Sequence, residues 1–401
     1  MPMIKRFLLL TSFFLLTISV LRAQTEVDER AMISFRKGLG FNAPDSIFGV
    51  NIRLRMQNRM LFNLNEDLAI EDIEARVSRL RLRFDGYILS EKLTYYLQLS
   101  FSRGDQDWDN SHVPNVVRDA MVYYHFNPKF YVGFGQGKLP GNRERIVSSG
   151  QQQFWDRSHV NANYTLDRDF GLFGYYSSNF GDVHYNLKGA ISTGDGRNQL
   201  KSDNGLMYTG RIELMPLGKF VRDGDFSAGD LEFEKTPKLA LAGGYSVNKN
   251  ARRTRGTIGT ELYEGRDLQG AFADILFKYR GWAFSSEYIS RTTSETAFTY
   301  NPLDSAQTAL VNVGQGVNTQ LSYCFPNYWE VALRYAFIEP DHELRDDMKK
   351  DTYYVVGVNK YIRKHLTKVQ AAAGYRTQES YLQSVPGKNN WIVVFQVELG
   401  I

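Results

Sequence analysis

The chain has 401 residues, with 48 lysines and arginines against 44 aspartates and glutamates for a formal charge of +4, and it carries 24 Tyr, 26 Phe, 34 Gly and only 11 Pro. Its single cysteine, Cys324, can form no intramolecular disulfide, and no cysteine stands directly after the N-terminal apolar region, so neither a stapled scaffold nor a lipid-anchored lipoprotein is supported. A mean hydropathy of -0.38 admits a membrane protein only if apolar residues are confined to one face of each strand, around a polar interior.

Lys5 and Arg6 precede an apolar run from Phe7 to Leu21 that ends at Leu21-Arg22-Ala23, and acidic Glu26, Asp28 and Glu29 follow at once. That order predicts a secretory signal peptide over residues 1–23, cut after Ala23, because the run is too short for a spanning helix. Cleavage takes away Lys5, Arg6 and Arg22 and no acid, lowering the formal charge from +4 to +1. The mature chain is not globally basic, and no nucleic-acid partner is expected. A short periplasmic segment is predicted over 24–45, followed by the main body over 46–401.

Period-two alternation begins at Phe48, where Phe48, Val50, Ile52, Leu54 and Met56 interleave with Gly49, Asn51, Arg53, Arg55 and Gln57. One face suits lipid and the other water. The pattern returns in Leu80, Leu82 and Phe84 against Arg79, Arg81, Arg83 and Asp85, then in Leu93 to Phe101, and at the end in Trp391, Val393, Phe395, Val397, Leu399 and Ile401. Segments of this kind number about sixteen, an even count typical of bacterial transmembrane barrels.

The joins between them alternate in length. Tight ones are predicted at Ser90-Glu91, Asn127 to Lys129, Asn179 to Asp182, Arg280-Gly281, Pro326-Asn327 and Arg363-Lys364. Long polar ones are predicted at Leu61 to Ile73, Gly104 to Pro114, Pro140 to Asp167, Thr193 to Asn204, Asn248 to Gly270, Thr293 to Gly314 and Ser380 to Asn390. Short turns at one rim and long loops at the other are the mark of an outer-membrane barrel, with the short-turn rim and both termini in the periplasm. Pro216 to Pro237 breaks the rule, being long where a short turn is due, and reads as an ordered periplasmic connection. Soluble secretion is disfavoured, since sixteen apolar strand faces are too many for one core.

The arginines on the inward face carry the sharpest functional signal. An antiparallel pairing of the first two strands sets Arg53 beside Arg81 or Arg83 and Arg55 beside Arg79 or Arg81, and like charges so opposed destabilise a sheet unless counter-charge is supplied. A mobile anion in the lumen would supply it. The competing reading is a wall facing loop acids such as Glu144, Asp156, Asp167 or Asp169. Gly133 to Lys138 lacks the first glycine and the Ser/Thr of a phosphate loop. Asp105, Asp107 and Asp109 lack the glycine and distant glutamate of a calcium loop. The six histidines show no metal spacing, and no catalytic motif is present. Trp282, Trp329, Trp391 and Tyr124 fall near strand ends as an interfacial girdle, and His125 and His184 fall on inward faces.

From Phe134-Gly135-Gln136-Gly137-Lys138-Leu139-Pro140 the chain resembles the phosphate-selective porin O and P family. The likeness continues through Asn142 to Arg145, Ser148 to Phe154, Asp156-Arg157-Ser158, Asp167 to Gly171, Met215 to Phe220, Gly224 to Phe226 and Thr236 to Leu239. The resemblance implies a sixteen-stranded barrel in a homotrimer, with Pro140 to Asp167 as an inward constriction loop. On this reading Arg53, Arg55, Arg79, Arg81, Arg83, Lys138, Arg143, Arg145 and Arg157 line an anion pathway. The expected partners are outer-membrane lipid and small anionic solutes such as phosphate, no cofactor or metal is expected, and the chain is not expected to be an enzyme. The alternatives are a general porin without anion specificity, a barrel enzyme, and a closed-barrel receptor. Mass analysis of the exported protein should find a mature N-terminus at Gln24; a chain that keeps Met1 would overturn the export reading.

Overall fold

The computed structural model describes residues 33–34, 38–43, 47–105, 115–199, 202, 205–382 and 387–401. The predicted signal peptide lies outside the described residues, as do most of 24–45 and residues 106–114 of the second long join.

Sixteen antiparallel strands close into one barrel. They are β1 (Phe48–Leu64), β2 (Ile70–Ile88), β3 (Ser90–Ser100), β4 (Val117–Asn127), β5 (Phe130–Lys138), β6 (Arg168–Phe180), β7 (Val183–Ser192) and β8 (Met207–Met215), then β9 (Lys238–Arg253), β10 (Glu261–Tyr279), β11 (Trp282–Thr293), β12 (Gly314–Cys324), β13 (Trp329–Pro340), β14 (Lys350–Arg363), β15 (Thr367–Glu379) and β16 (Lys388–Gly400). Each pairs with its sequence neighbour, and β16 returns to β1 from Trp391 opposite Leu64 to Gly400 opposite Arg55. Below that point β1 would present a bare edge. The short strand Leu39–Asn42 covers it, pairing Leu39 with Ile52 and Asn42 with Gly49, so the wall begins before residue 46. No backbone edge is left along β1 to meet hydrocarbon, where an unpaired N–H or C=O costs several kcal/mol, on the order of a lost hydrogen bond without compensation.

The outer face carries exposed Leu54, Phe134, Ile212, Leu333, Val356 and Phe395, whereas their strand neighbours Arg211, Arg334 and Gln396 are buried inside. Trp282 and Trp329 stand exposed at the short-turn rim, as an interfacial girdle requires.

Three predicted joins differ from the structure. Leu61 to Ile73 and Asn248 to Gly270 are largely strand, with β1 turning into β2 across residues 65–69 and β9 into β10 across 254–260. The β1–β2 extension has mostly exposed residues over 70–77, and the β9–β10 extension buries Ala251, Leu262 and Leu268 against Ala297, Val311, Val313 and Leu344 of neighbouring loops, so neither shows the lipid-facing apolar period while the hydrogen-bond ladder continues. Thr293 to Gly314 holds a two-stranded hairpin of its own, Phe298–Asn301 with Asp304–Leu310. The first tight turn also falls one residue earlier than predicted, at Leu89 with φ 63°.

Placing a charge on the lipid face should be costly in a way that depends on depth. Leu333→Arg, midway along β13, is expected to destabilise the barrel by about 2–4 kcal/mol in urea unfolding from lipid bilayers. No loss of stability would mean that Leu333 does not face hydrocarbon.

Candidate functional site

The long segment between β5 and β6 is bound to both sides of the barrel interior. Towards β10–β13, the Asn142 side chain and the Glu144 backbone N–H donate to Glu287 at 2.8 and 2.9 Å, and Arg143 Nε donates to Asp274 at 2.5 Å. Glu144 also pairs with Arg334 at 3.0 Å. Apolar side chains seat where the wall has no side chain of its own. Phe154 packs so closely on Gly357 that a Cβ there would stand 3.0 Å from its ring, and Val160 sits on Gly316 in the same way. The Arg334 guanidinium covers Phe154 at 4.2 Å. Ser158 caps the short helix His159–Tyr164, its hydroxyl accepting from Asn161 N at 3.2 Å.

Towards β1 and β2 the same segment supplies counter-charge. Asp156 pairs with Arg79 at 2.5 Å and Arg59 at 3.2 Å, and the Ser149 hydroxyl accepts from Arg81 and Arg55 at 2.8 and 3.1 Å. Burial pushes the Asp156 carboxyl up, but Arg79 and Arg59 outweigh it and hold the group well below the usual carboxylate range.

The connection between β8 and β9, long where a short turn was due, is ordered against the interior of the barrel. It turns up into the mouth: Ala228 N donates to Gln151 O at 2.8 Å, and Lys278 Nζ on β10 donates to Gly224 O and Ser227 O at 2.7 and 2.9 Å. Arg143 Nη1 reaches Asp225 O at 3.2 Å, so the two segments touch inside the barrel. Where the two segments meet they shut water away from polar donors, and each supplies acceptors for the other.

Two cavities remain. One, of about 650 Å³ on the long-loop side, is lined by eleven arginines and four carboxylates, with Trp155, His159 and Tyr353. The other, of about 640 Å³ on the short-turn side, is lined by seven lysines and arginines and three carboxylates. Arg81 lines both.

The nine residues singled out from sequence divide accordingly. Arg79, Arg145 and Arg157 line the first cavity and Arg53, Arg55 and Arg83 the second, with Arg81 between. The register places Arg53 opposite Arg83, Arg55 opposite Arg81, and Gln57, not an arginine, opposite Arg79. Protein acids neutralise this ladder in large part. Asp85 lies 3.2 Å from Arg53 and 2.9 Å from Arg83, Asp105 lies 2.6 Å from Arg81, and Glu398 pairs with Arg55. Of the loop acids proposed as partners, Asp156 alone among the four binds a ladder arginine; Glu144 serves Arg334, Asp167 serves Arg145 and Arg168, and Asp169 accepts from Thr193 and Gly194.

Two of the nine lie off both cavities. Lys138 donates to the carbonyls of Ile146 and Val147 at 2.9 and 3.4 Å, which makes it a staple at the base of the loop. Arg143 is taken up by Asp274, because a buried guanidinium without a carboxylate is costly. Arg157 differs from all of these. Its guanidinium is held by the carbonyls of Glu144 and Val147 at 2.7 and 2.8 Å, with no ion pair among the described residues. Burial and the neighbouring Arg79 press it down to about 9, despite the opposing pull of Glu144.

Sequence reasoning passed over Arg59, Arg118, Arg334 and Arg376, all of which line the first cavity. Arg334 was legible, since it alternates with Leu333 and Tyr335 as a lone cation between Ala332 and Ala336. Arg59 continues the odd-numbered inward face of β1. Arg118 carries no such signal, because it is the extra residue of a bulge, left out of the register between Val117 opposite Leu99 and Asp119 opposite Gln98.

Residues 50–219 match the family model described as phosphate-selective porin O and P. The resemblance read from the sequence is shown over that span, which begins before the first quoted motif and stops short of Gly224 to Phe226 and Thr236 to Leu239. A protein of Aquifex aeolicus (strain VF5), described as uncharacterized, is 25% identical over 362 residues covering 80% of each chain. Among solved structures, the outer membrane channel DcaP of Acinetobacter baumannii aligns at a TM-score of 0.55 and 10% identity over 90% of this chain and 99% of its own. An anion-selective porin from Comamonas acidovorans aligns at 0.52 and 11%, over 88% and 100%. The barrel and the family match place the chain in the outer membrane of a Gram-negative bacterium, as a porin channel.

Because the β5–β6 segment hangs on Glu287 and Asp274, removing both anchors should loosen it. Asp274→Ala/Glu287→Ala is expected to give a larger and noisier single-channel conductance than the parent. An unchanged conductance in a folded barrel would mean that this segment does not limit the passage.

Proposed function

We propose that the porin conducts small hydrophilic anions, phosphate among them, by passive diffusion past Arg81. One observation carries this reading: cations outnumber acids in the cavity on each side of the β5–β6 segment, eleven to four and seven to three. A low-dielectric wall confines the field of that surplus to the lumen, where it raises the local concentration of anions. Fixed acids hold the ladder arginines in place without cancelling the excess. Arg157, lacking such an acid, is the cation best placed to exchange its interactions for a passing solute. Lys138 and Arg143 serve to hold the segment, not to meet the solute. The family description and the anion-selective relative of like fold agree with this reading, and the resemblance supports assembly as a homotrimer.

The second reading is a general porin in which the paired arginines produce only a transverse field across the lumen. The ion pairs of Arg53, Arg55, Arg79, Arg81 and Arg83 favour it to the extent that their charge is spent locally.

Reversal potentials in asymmetric potassium chloride separate the two. Replacing Arg79, Arg81 and Arg157 with Gln should lower the chloride-to-potassium permeability ratio, and the difference from the parent should shrink at 1 M salt, where the Debye length is about 3 Å. Lys replacements should restore most of the ratio if a field is responsible, since only a planar oxyanion site needs the guanidinium fork. A Gln variant that conducts with the parent's reversal potential would leave the general-porin reading standing.

A further inference from the structure

The inner wall is not chemically uniform. Over β11 and β12 its residues are acidic or amide side chains: Glu287 stands opposite Asn318 and Ser285 opposite Gln320, with Glu287, Asn318 and Gln320 buried. Over β3–β6 it is aromatic. His125 of β4 stacks on Tyr131 of β5, its register partner, with centroids 4.8 Å apart. Tyr131 in turn stacks on its partner Tyr175 of β6 at 4.6 Å and 12°. Tyr123 meets Tyr131 and Tyr175 edge-on at 6.0 and 6.2 Å, and lies so close to Gly133 that a Cβ there would stand 2.8 Å from its ring. All four occupy inward positions, since Val122, Tyr124, Phe134 and Leu172 take the exposed outer ones on these strands.

Charge borders this patch. The Arg83 guanidinium lies 4.3 Å over the ring of Tyr96 on β3. Tyr96 pairs with Met121 and Thr94 with Tyr123, which makes Tyr96 and Tyr123 diagonal neighbours, about 7–8 Å apart in a regular sheet. The Tyr96 hydroxyl donates to Gln98 Oε1 at 3.1 Å, and the Gln98 amide nitrogen is buried with no hydrogen-bond partner. Among the described residues, neither of the two segments that enter the lumen hydrogen-bonds to Tyr123, Tyr131 or Tyr175, and Phe226 of the β8–β9 segment reaches as far as Lys188, the register partner of Tyr175, whose ammonium lies 5.1 Å from the Phe226 ring.

A compact hydrated anion draws little from stacked rings. A solute that carries both an acidic group and a planar ring gains twice, by stacking against tyrosine faces and edges and by pairing its acid with a guanidinium. We propose that the β3–β6 wall is a binding track for aromatic carboxylates, with Arg83 and the free Gln98 amide receiving the carboxylate and Tyr123, Tyr131 and Tyr175 the ring. The track deepens the anion-channel reading above and rests on it.

The test compares benzoate with cyclohexanecarboxylate, which has the same charge and a non-aromatic ring, as blockers of chloride current through the full-length protein in planar bilayers. Benzoate should half-block at a concentration about two- to tenfold lower, the range expected for aromatic stacking. The triple variant Tyr123→Leu/Tyr131→Leu/Tyr175→Leu should lose that preference, and the corresponding Phe triple should keep it. Equal block of the parent by both acids, a Leu triple that keeps the preference, or a Phe triple that loses it overturns the proposal. Should the Leu triple fail to fold, as judged by heat-modifiable migration, Tyr131→Leu alone should reduce the preference, and an unchanged ratio there counts against the track equally. Saturation-transfer NMR of benzoate on the detergent-solubilised barrel reads binding without current. A barrel that carries no chloride but saturates benzoate more strongly than cyclohexanecarboxylate would therefore keep the track and lose the channel reading.

Discussion

Every backbone polar group that crosses hydrocarbon must find its partner within the protein, and this chain meets that demand by returning β16 to β1 and covering the remaining edge with Leu39–Asn42. Closure has a geometric consequence. With side chains alternating across each strand, half of them point into a space that lipid cannot reach and that apolar residues do not fill. Polar and charged residues therefore gather inside, among them Gln57, Arg211, Lys278, Gln396 and Glu398, each at most 2% exposed. The charged interior follows from the closed sheet.

Charges gathered in that space must balance or be offset by something that enters it. Arg211 shows full balance, set between Glu213 at 2.8 Å and Asp274 at 2.7 Å. The ladder of β1 and β2 shows partial balance, with Asp85, Asp105, Asp156 and Glu398 shared among more arginines than acids. Such pairs contribute little net stability once desolvation is counted, but they orient the guanidiniums and prevent them from collapsing onto one another. A ladder held in this way is rigid and remains in excess, which is the condition for attracting a mobile anion without trapping it.

Two inserted segments then decide how much of the lumen is open. The β5–β6 segment runs from Glu287 and Asp274 to Arg79 and Arg81, and the β8–β9 segment meets it from the opposite mouth at Gln151 and Arg143. Both are anchored on β10, glycines on β12 and β14 make room for Val160 and Phe154 of the first, and that first segment also reaches β1 and β2. The wall over β3–β6 carries stacked tyrosines next to Arg83. The proposed selection by charge and the proposed selection by ring shape thus fall on adjoining stretches of one wall.

What the sequence determined by itself is the barrel and its two faces, because side-chain alternation is a local property: a strand that buries one face in lipid must repeat every two residues, and short and long joins alternate because hairpins on the two rims meet different surroundings. The pairing of Arg53 with Arg83 was within reach for the same reason, since register follows from alternation and one turn. Where alternation ceased to report, the reading failed. Beyond the lipid-facing band the hairpin of β1–β2 is largely exposed and that of β9–β10 packs against loop residues instead of lipid, and strand there is indistinguishable from loop by period. Long-range partners were beyond it altogether. Nothing near Arg55 in the chain points to Glu398, nothing near Lys138 marks the carbonyls that capture it, and the bulge at Arg118 hides its face. Only the tertiary structure could decide which arginines are neutralised, which hold the loop and which, like Arg157, are left with carbonyls alone, because a charge in a closed lumen answers to whatever stands across the space and not to its neighbours in sequence.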